Sequence, residues 1–203
     1  MRTERNVWEI ISPEDIWVMD KLILSRTLGY ICGPSGMDVP KPDWYIIRPC
    51  VNIRGLGLGT EKKWLDKDTH HLPIGSFWCE WFEGRHISVD YNETLQIMAV
   101  EGFKEEHTFR KWDRWIKVSD QYPLPEFLRE LAIKYTQINC EFIGDKLIEV
   151  HFRLNPDFEG GITEFIPIFG ENVLDLEIQG YTWIDAPDEN DRIGAWVKYL
   201  DSL

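Results

Sequence analysis

The chain has 203 residues, of which 22 are basic and 35 acidic, giving a net charge of −13 at neutral pH. With 43% hydrophobic and 28% charged residues it has the composition of an ordinary folded protein, which excludes disordered, collagen-like and membrane-spanning classes. The negative total disfavours nucleic acid as a partner, because affinity for a phosphate backbone comes largely from Lys and Arg.

Cys32, Cys50, Cys79 and Cys140 are widely spaced and form no C-x-x-C pair, so they read as reduced core thiols rather than a zinc module or a disulfide scaffold. The first six residues are charged and no long apolar run follows. No signal peptide or spanning helix is expected, and the protein is placed in the cytoplasm without a membrane partner. The ten tryptophans are read as mostly core residues. No repeat or low-complexity tract divides the chain, and the only composition shift is the acidic stretch 185–191.

A helical region is predicted over residues 12–28, with Ser12 as cap, Pro13 at the first helical position, Asp15 at the capping-box position, a break near Asp20 and Gly29 as terminator. Residues 44–50 form a short apolar strand that runs into a glycine-dense loop, 52–60. Residues 77–82 and 86–91 alternate as a hairpin about Glu83-Gly84-Arg85, and 94–100 reads as a third strand. In that hairpin Trp78, Glu80, Phe82, His86, Ser88 and Asp90 share the more polar face. Phe109, Trp112 and Trp115, three apart within a basic segment, read as a helical core stripe, and His70-His71 as loop residues. A helix over 125–137 follows, with Phe127, Leu128, Leu131 and Tyr135 on one side.

Residues 139–143 and 147–155 then flank Gly144-Asp145-Lys146. A three-residue loop pairs Cys140 with Val150 and Phe142 with Ile148, which keeps one face continuously apolar. It also sets Glu141 directly opposite Glu149, with His151, Arg153 and Asn155 following on the same face. Two facing carboxylates repel unless a cation lies between them, and oxygen pairs of this kind suit Mg²⁺. The alternative is a solvated strand face screened by Arg153 and Lys146.

Taken in order, five segments resemble the ATP-grasp superfamily, closest to the biotin carboxylase and carbamoyl-phosphate synthetase branch. Ser12-Pro-Glu-Asp-Ile-Trp-Val-Met-Asp-Lys21 is similar to the family's first motif, with Lys21 at its first ATP-contacting lysine. Tyr45-Ile-Ile-Arg-Pro-Cys50 and Gly55-Leu-Gly-Leu-Gly59 resemble the strand and glycine loop over the phosphates, with Arg48 in place of the second lysine and Gly55, Gly57 and Gly59 in the loop. Glu80-Trp81-Phe82-Glu-Gly-Arg-His86 resembles the hinge segment, whose backbone reads adenine and whose histidine holds ribose. Glu141 and Glu149 match the paired metal ligands. Glu149-Val-His-Phe-Arg153 is similar to the E-x-N-x-R signature, with His151 where the family has asparagine, and Arg153 and Asp157 match catalytic positions.

The resemblance implies an α+β fold in which two subdomains with antiparallel sheets enclose a nucleotide cleft, a single minimal domain over 1–203 with a lid near 44–100. Only about ten residues precede the first motif, where the family usually carries a Rossmann-like domain. It further implies ATP and Mg²⁺ as cofactors, with Mn²⁺ admitted because imidazole is a poor Mg²⁺ ligand. The implied activity is that of an ATP-dependent ligase making an acylphosphate from a small-molecule or peptide carboxylate for attack by an amine. The alternative is a degenerate member that binds nucleotide or a protein partner without turnover; such a partner would also supply the absent acceptor-binding domain.

Overall fold

The computed structural model describes residues 4–51, 57–104, 111–170, 177–188 and 191–200. Two antiparallel sheets organise it. The smaller is built from β1 (Cys32–Pro34), β2 (Asp43–Pro49), β3 (Glu61–Leu65) and β4 (Ser76–Glu80) in the order β1-β4-β2-β3. The larger holds β5 (His86–Asn92), β6 (Leu95–Phe103), β7 (Arg114–Val118), β8 (Gln137–Ile143), β9 (Lys146–His151), β10 (Ile162–Phe169), β11 (Thr182–Ile184) and β12 (Arg192–Tyr199). Their order is β11-β12-β10-β7-β6-β5-β8-β9.

Three short helices, α1 (Glu4–Ile10), α2 (Lys21–Thr27) and α3 (Arg129–Tyr135), lie against one face of the larger sheet. Their apolar residues Val7, Leu24, Leu131 and Ala132 meet Ile87, Val89, Cys140 and Val150, which alternate along β5, β8 and β9. The opposite face therefore carries the polar residues of the same strands. Tyr45, Ile47, Leu65 and Trp78 form a separate core behind the smaller sheet.

The helical region of 12–28 is two pieces rather than one. Residues Pro13–Met19 form a tight 3₁₀ turn, and Asp20 restarts the chain as α2 by accepting from the backbone N–H of Leu22 and Ile23 at 2.9 and 3.0 Å. Ser12 caps nothing. Ser12 and Asp15 instead take the Lys134 ammonium at 2.8 and 2.7 Å, and Asp15 accepts from the Tyr135 hydroxyl at 2.6 Å, fastening the turn to α3.

The hairpin expected over 77–91 does not form, because β4 pairs with β1 and β2 while β5 pairs with β6 and β8. Both strands are buried by neighbours on either side, so residues 81–85 are a connector between sheets and not a hairpin turn. The expected helical stripe is also absent: Trp115 lies in β7 and Trp112 just before it, while Phe109 falls outside the described residues. Pairing with β6 accounts for the difference, since β7 supplies a ladder to a strand whose edge would otherwise be bare. Among the tryptophans only Trp78 is buried, and Trp44 and Trp64 are half exposed. Cys79 and Cys140 are buried thiols, whereas Cys32 and Cys50 are partly exposed.

Candidate functional site: a charged cleft between two sheets

The carboxylate hairpin has a different turn from the one expected and the same consequence. Ile143 pairs with Lys146 and Phe142 with Leu147 across a two-residue turn in which Gly144 takes φ 60°. A bulge at Ile148 then shifts the register so that Glu141 faces Glu149 and Cys140 faces Val150. The bulge also lets Leu147 and Val150 both reach the core, while Ile148 and Glu149 both line the cleft.

Lys21 is brought to this face by α2, whose first backbone N–H donates to the Cys50 carbonyl at 2.7 Å. Its ammonium lies 3.2 Å from Glu149 Oε2. Arg48, on β2, donates to the same oxygen at 2.7 Å and to the Ile148 carbonyl exposed by the bulge at 3.0 Å. His151 Nε2 is 3.0 Å from Glu149 Oε1 and 3.9 Å from Glu141 Oε1, and His86 Nε2 is 3.1 Å from Glu141 Oε2. The Lys21, Arg48 and Glu149 side chains are only 6, 12 and 8% exposed, so this is a buried ion cluster in which screening by water is weak.

Burial alone would push both glutamates up. At Glu149 the Lys21 charge, the hydrogen bond from His151 and the Arg48 charge prevail and hold the carboxyl well below its ordinary range. At Glu141 burial and the neighbouring Glu149 oppose ionisation, but the His86 hydrogen bond and the nearby imidazoles hold it below as well. Burial lowers Lys21, with Glu149 opposing.

The cluster forms the floor of a cleft of about 420 Å³ between the sheets. The smaller sheet contributes Ile46 and Arg48, and the loop after β2 contributes Gly57 and Thr60. The connector adds Trp81 and Phe82, and β5, β8 and β9 add His86, Glu141, Glu149 and His151. Arg153 and Asp157 also line the cleft, and Asp157 is ion-paired to Arg192 at 2.9 Å. Thus eleven of the fourteen residues singled out in the sequence line one cavity. Glu80 does not: its carboxylate accepts from the Ile31 backbone N–H at 2.8 Å, and it lines a separate cavity with Trp81. Gly59 packs against Pro49, and Gly55 lies outside the described residues.

Several cleft residues were not singled out as site residues. Ser88 and Asn139 precede or follow known cleft positions by two along β5 and β8, so period-two alternation was the available signal. Asn139 Nδ2 donates to Ser88 Oγ and Asp90 Oδ1, both at 2.8 Å, and Asp90 also accepts from the Asn155 backbone N–H at 3.1 Å. Burial pushes Asp90 up to about 6 despite these bonds. Trp112 and Trp115 stand edge-on to His86, with ring centroids 4.5 and 5.5 Å away. Gly102 makes room for them, since a Cβ there would come within 2.8 Å of the Trp112 ring.

No protein-family model and no curated protein matches the sequence. Solved structures do match the fold. N5-carboxyaminoimidazole synthetase from Staphylococcus aureus, complexed with ADP, superposes with a TM-score of 0.59 at 9% identity over 92% of this chain and 68% of that one. L-amino acid ligase from Bacillus licheniformis gives 0.52 at 11% identity over 98% and 72%. A protein from Archaeoglobus fulgidus assigned to the ATP-grasp superfamily gives 0.51 at 14% identity over 91% and 65%. The chain has the ATP-grasp fold, an α+β architecture dominated by antiparallel sheet. It spans about two thirds of the length of these structures.

Proposed function

We propose that the cleft binds ATP and that the chain is an ATP-dependent ligase-type enzyme. The observation that carries this reading is the convergence of Lys21 and Arg48, from α2 and β2, on one buried carboxylate of β9 at the floor of the cleft. Two cations held at such short range by a single acid are poised to turn toward a polyphosphate, which offers them more negative charge. Arg48 supplies this charge in a planar fork and Lys21 as a point. Trp81 and Phe82, on the connector, are positioned to border the base, and His86 the ribose. Arg153, which also lines the cleft, would stabilise charge on an acyl phosphate, and Asp157 lines the same cleft.

The donor chemistry at Glu141 and Glu149 fits one divalent cation held by two carboxylates, with water and phosphate completing its shell. The His151 imidazole nitrogen favours Mn²⁺ over Mg²⁺ there. Bound with nucleotide, such an ion supplies charge neutralisation at the β and γ phosphates. Among the described residues, no three His, Cys, Asp or Glu side chains stand arranged to hold a metal, because Glu149 is turned to Lys21, Arg48 and His151.

That compensation supports a second reading, a cleft that holds nucleotide without turnover. Calorimetry with ATP in the presence of Mg²⁺ or Mn²⁺ tests both: saturable binding is expected, and no heat at millimolar ATP removes both. Phosphate release across a panel of carboxylates and amines separates them. Turnover that Glu149→Gln abolishes supports the ligase, and binding without release from any pair supports the second reading.

A further inference from the structure

Cys32 and Cys79 are paired directly across β1 and β4. The next pair along the ladder, Ile31 and Glu80, is a hydrogen-bonded one, because the Glu80 N–H donates to the Ile31 carbonyl at 2.8 Å. Antiparallel pairs alternate, so Cys32 and Cys79 occupy a non-hydrogen-bonded site, where Cα atoms approach to about 4.5 Å and side chains lie closest. That spacing falls inside the range that a disulfide spans, roughly 4.4–6.8 Å. The two thiols lie close enough that each perturbs the other's ionisation. Cys32 is partly exposed and Cys79 only 3% exposed, so one sulfur is open to a reagent and its partner is sheltered behind it.

We propose that Cys32 and Cys79 are a redox pair, converted to an intramolecular disulfide by a small disulfide oxidant such as oxidised glutathione. The Cys32 thiolate attacks one sulfur of the oxidant, forming a mixed disulfide and releasing one glutathione thiolate. The Cys79 thiol gives up its proton to that thiolate and attacks Cys32 Sγ, which forms the protein disulfide and releases the second glutathione. Two protein thiols are oxidised and one glutathione disulfide is reduced to two thiols. The neighbouring Cys79 thiol lowers Cys32 and favours it as the first nucleophile. Cys32, with burial, raises Cys79, and the part due to Cys32 is relieved once Cys32 is in the mixed disulfide.

The position gives the bond a mechanical consequence. The chain enters the smaller sheet just before Cys32 and leaves it just after Cys79, so the disulfide joins the two crossings between the sheets and closes a loop over the whole smaller sheet. Cys79 also pairs with Ile46 on its other side, which puts the pair on the sheet face that looks into the cleft.

The test is mass spectrometry of the intact chain incubated with oxidised glutathione, then alkylated and digested. A mass loss of two hydrogens, loss of two of the four thiols and one cross-linked peptide joining Cys32 to Cys79 are expected, all reversed by dithiothreitol. Four thiols that all alkylate after unfolding, or a link through Cys50 or Cys140, overturns the proposal. Cys79→Ala should trap glutathione on Cys32, and no adduct there overturns the order of attack. Cys32→Ser, at the exposed position, should leave Cys79 without glutathione; an adduct on Cys79 overturns it too.

Discussion

At the residue scale the cleft concentrates its electrostatics on Glu149, which meets two cations, Lys21 and Arg48, and the His151 imidazole while lying almost wholly out of water. Removing its charge leaves Lys21 and Arg48 buried together without their acid. Glu149→Gln is therefore expected to cost about 3 kcal/mol in urea denaturation, whereas Glu141→Gln, at a residue 26% exposed and paired with imidazole, costs less than about 1 kcal/mol. Asp90 titrates in the opposite sense. Its folded-state value of about 6 lies above the ordinary 3.8, so the native state binds more protons than the unfolded chain between these values. Its contribution to stability is present at low pH and is lost, by up to about 3 kcal/mol, as the pH rises from about 4 to about 6. Carbon-detected NMR titration should place the Asp90 carboxyl midpoint near 6. Glu149, held low, makes its own contribution above the carboxylate range and loses it on acidification.

At the scale of elements, the bulge in β9 is what lets one strand serve both the core and the cleft. Deleting Ile148 would join Leu147 directly to Glu149, and the ladder would then run without interruption while Glu141 still faced Glu149. The deletion variant is expected to fold, with thermal unfolding near that of the parent. It loses the carbonyl that anchors Arg48, so ATP affinity measured by calorimetry is expected to fall about tenfold, the worth of one charge-assisted hydrogen bond. The connector between the sheets is fixed by a close approach of two glycines. Gly84 has φ 136°, and a Cβ there would meet Gly144 Cα of the hairpin turn at 2.7 Å, while the Gly144 N–H donates to the Arg85 carbonyl at 2.9 Å. Gly84→Ala is therefore expected to destabilise the chain by about 1–3 kcal/mol and to displace His86 from Glu141, with denaturation reporting the first and the NMR chemical shifts of the His86 ring at fixed pH the second.

At the scale of the whole molecule, the cleft exists because the chain leaves the larger assembly after α2, builds a four-stranded sheet, and returns through residues 81–85. A ligand bound between two such bodies stabilises both. ATP with a divalent ion at a hundredfold excess over its dissociation constant is expected to raise stability by about 2.7 kcal/mol, read as an upward thermal shift that Arg48→Ala reduces. The residues that alternate along β5 and β8 were legible in the sequence, because period two alone separates Ile87, Val89 and Cys140 from His86, Ser88 and Glu141, whereas Ile148 of β9, expected on the apolar face, is turned into the cleft by the bulge. The order of the motifs carried the ATP-grasp fold and eleven of the cleft residues. What the sequence read wrongly was partnership. Strands β4 and β5 carry the same alternation as a hairpin, yet they lie in different sheets, and nothing local distinguishes a tight turn from a connector at Glu83-Gly84-Arg85. Trp112 and Trp115 keep a spacing of three where the chain enters β7, so a helical stripe and a cleft wall looked alike. The sequence by itself determined which face of β5 and β8 is polar, since side-chain direction follows from covalent geometry, but not that of β4, where Trp78 turned to the core, nor of β9 around its bulge. Only the tertiary structure decided which strands pair, where the ladder bulges and which cations meet Glu149, because those depend on contacts between residues some hundred positions apart.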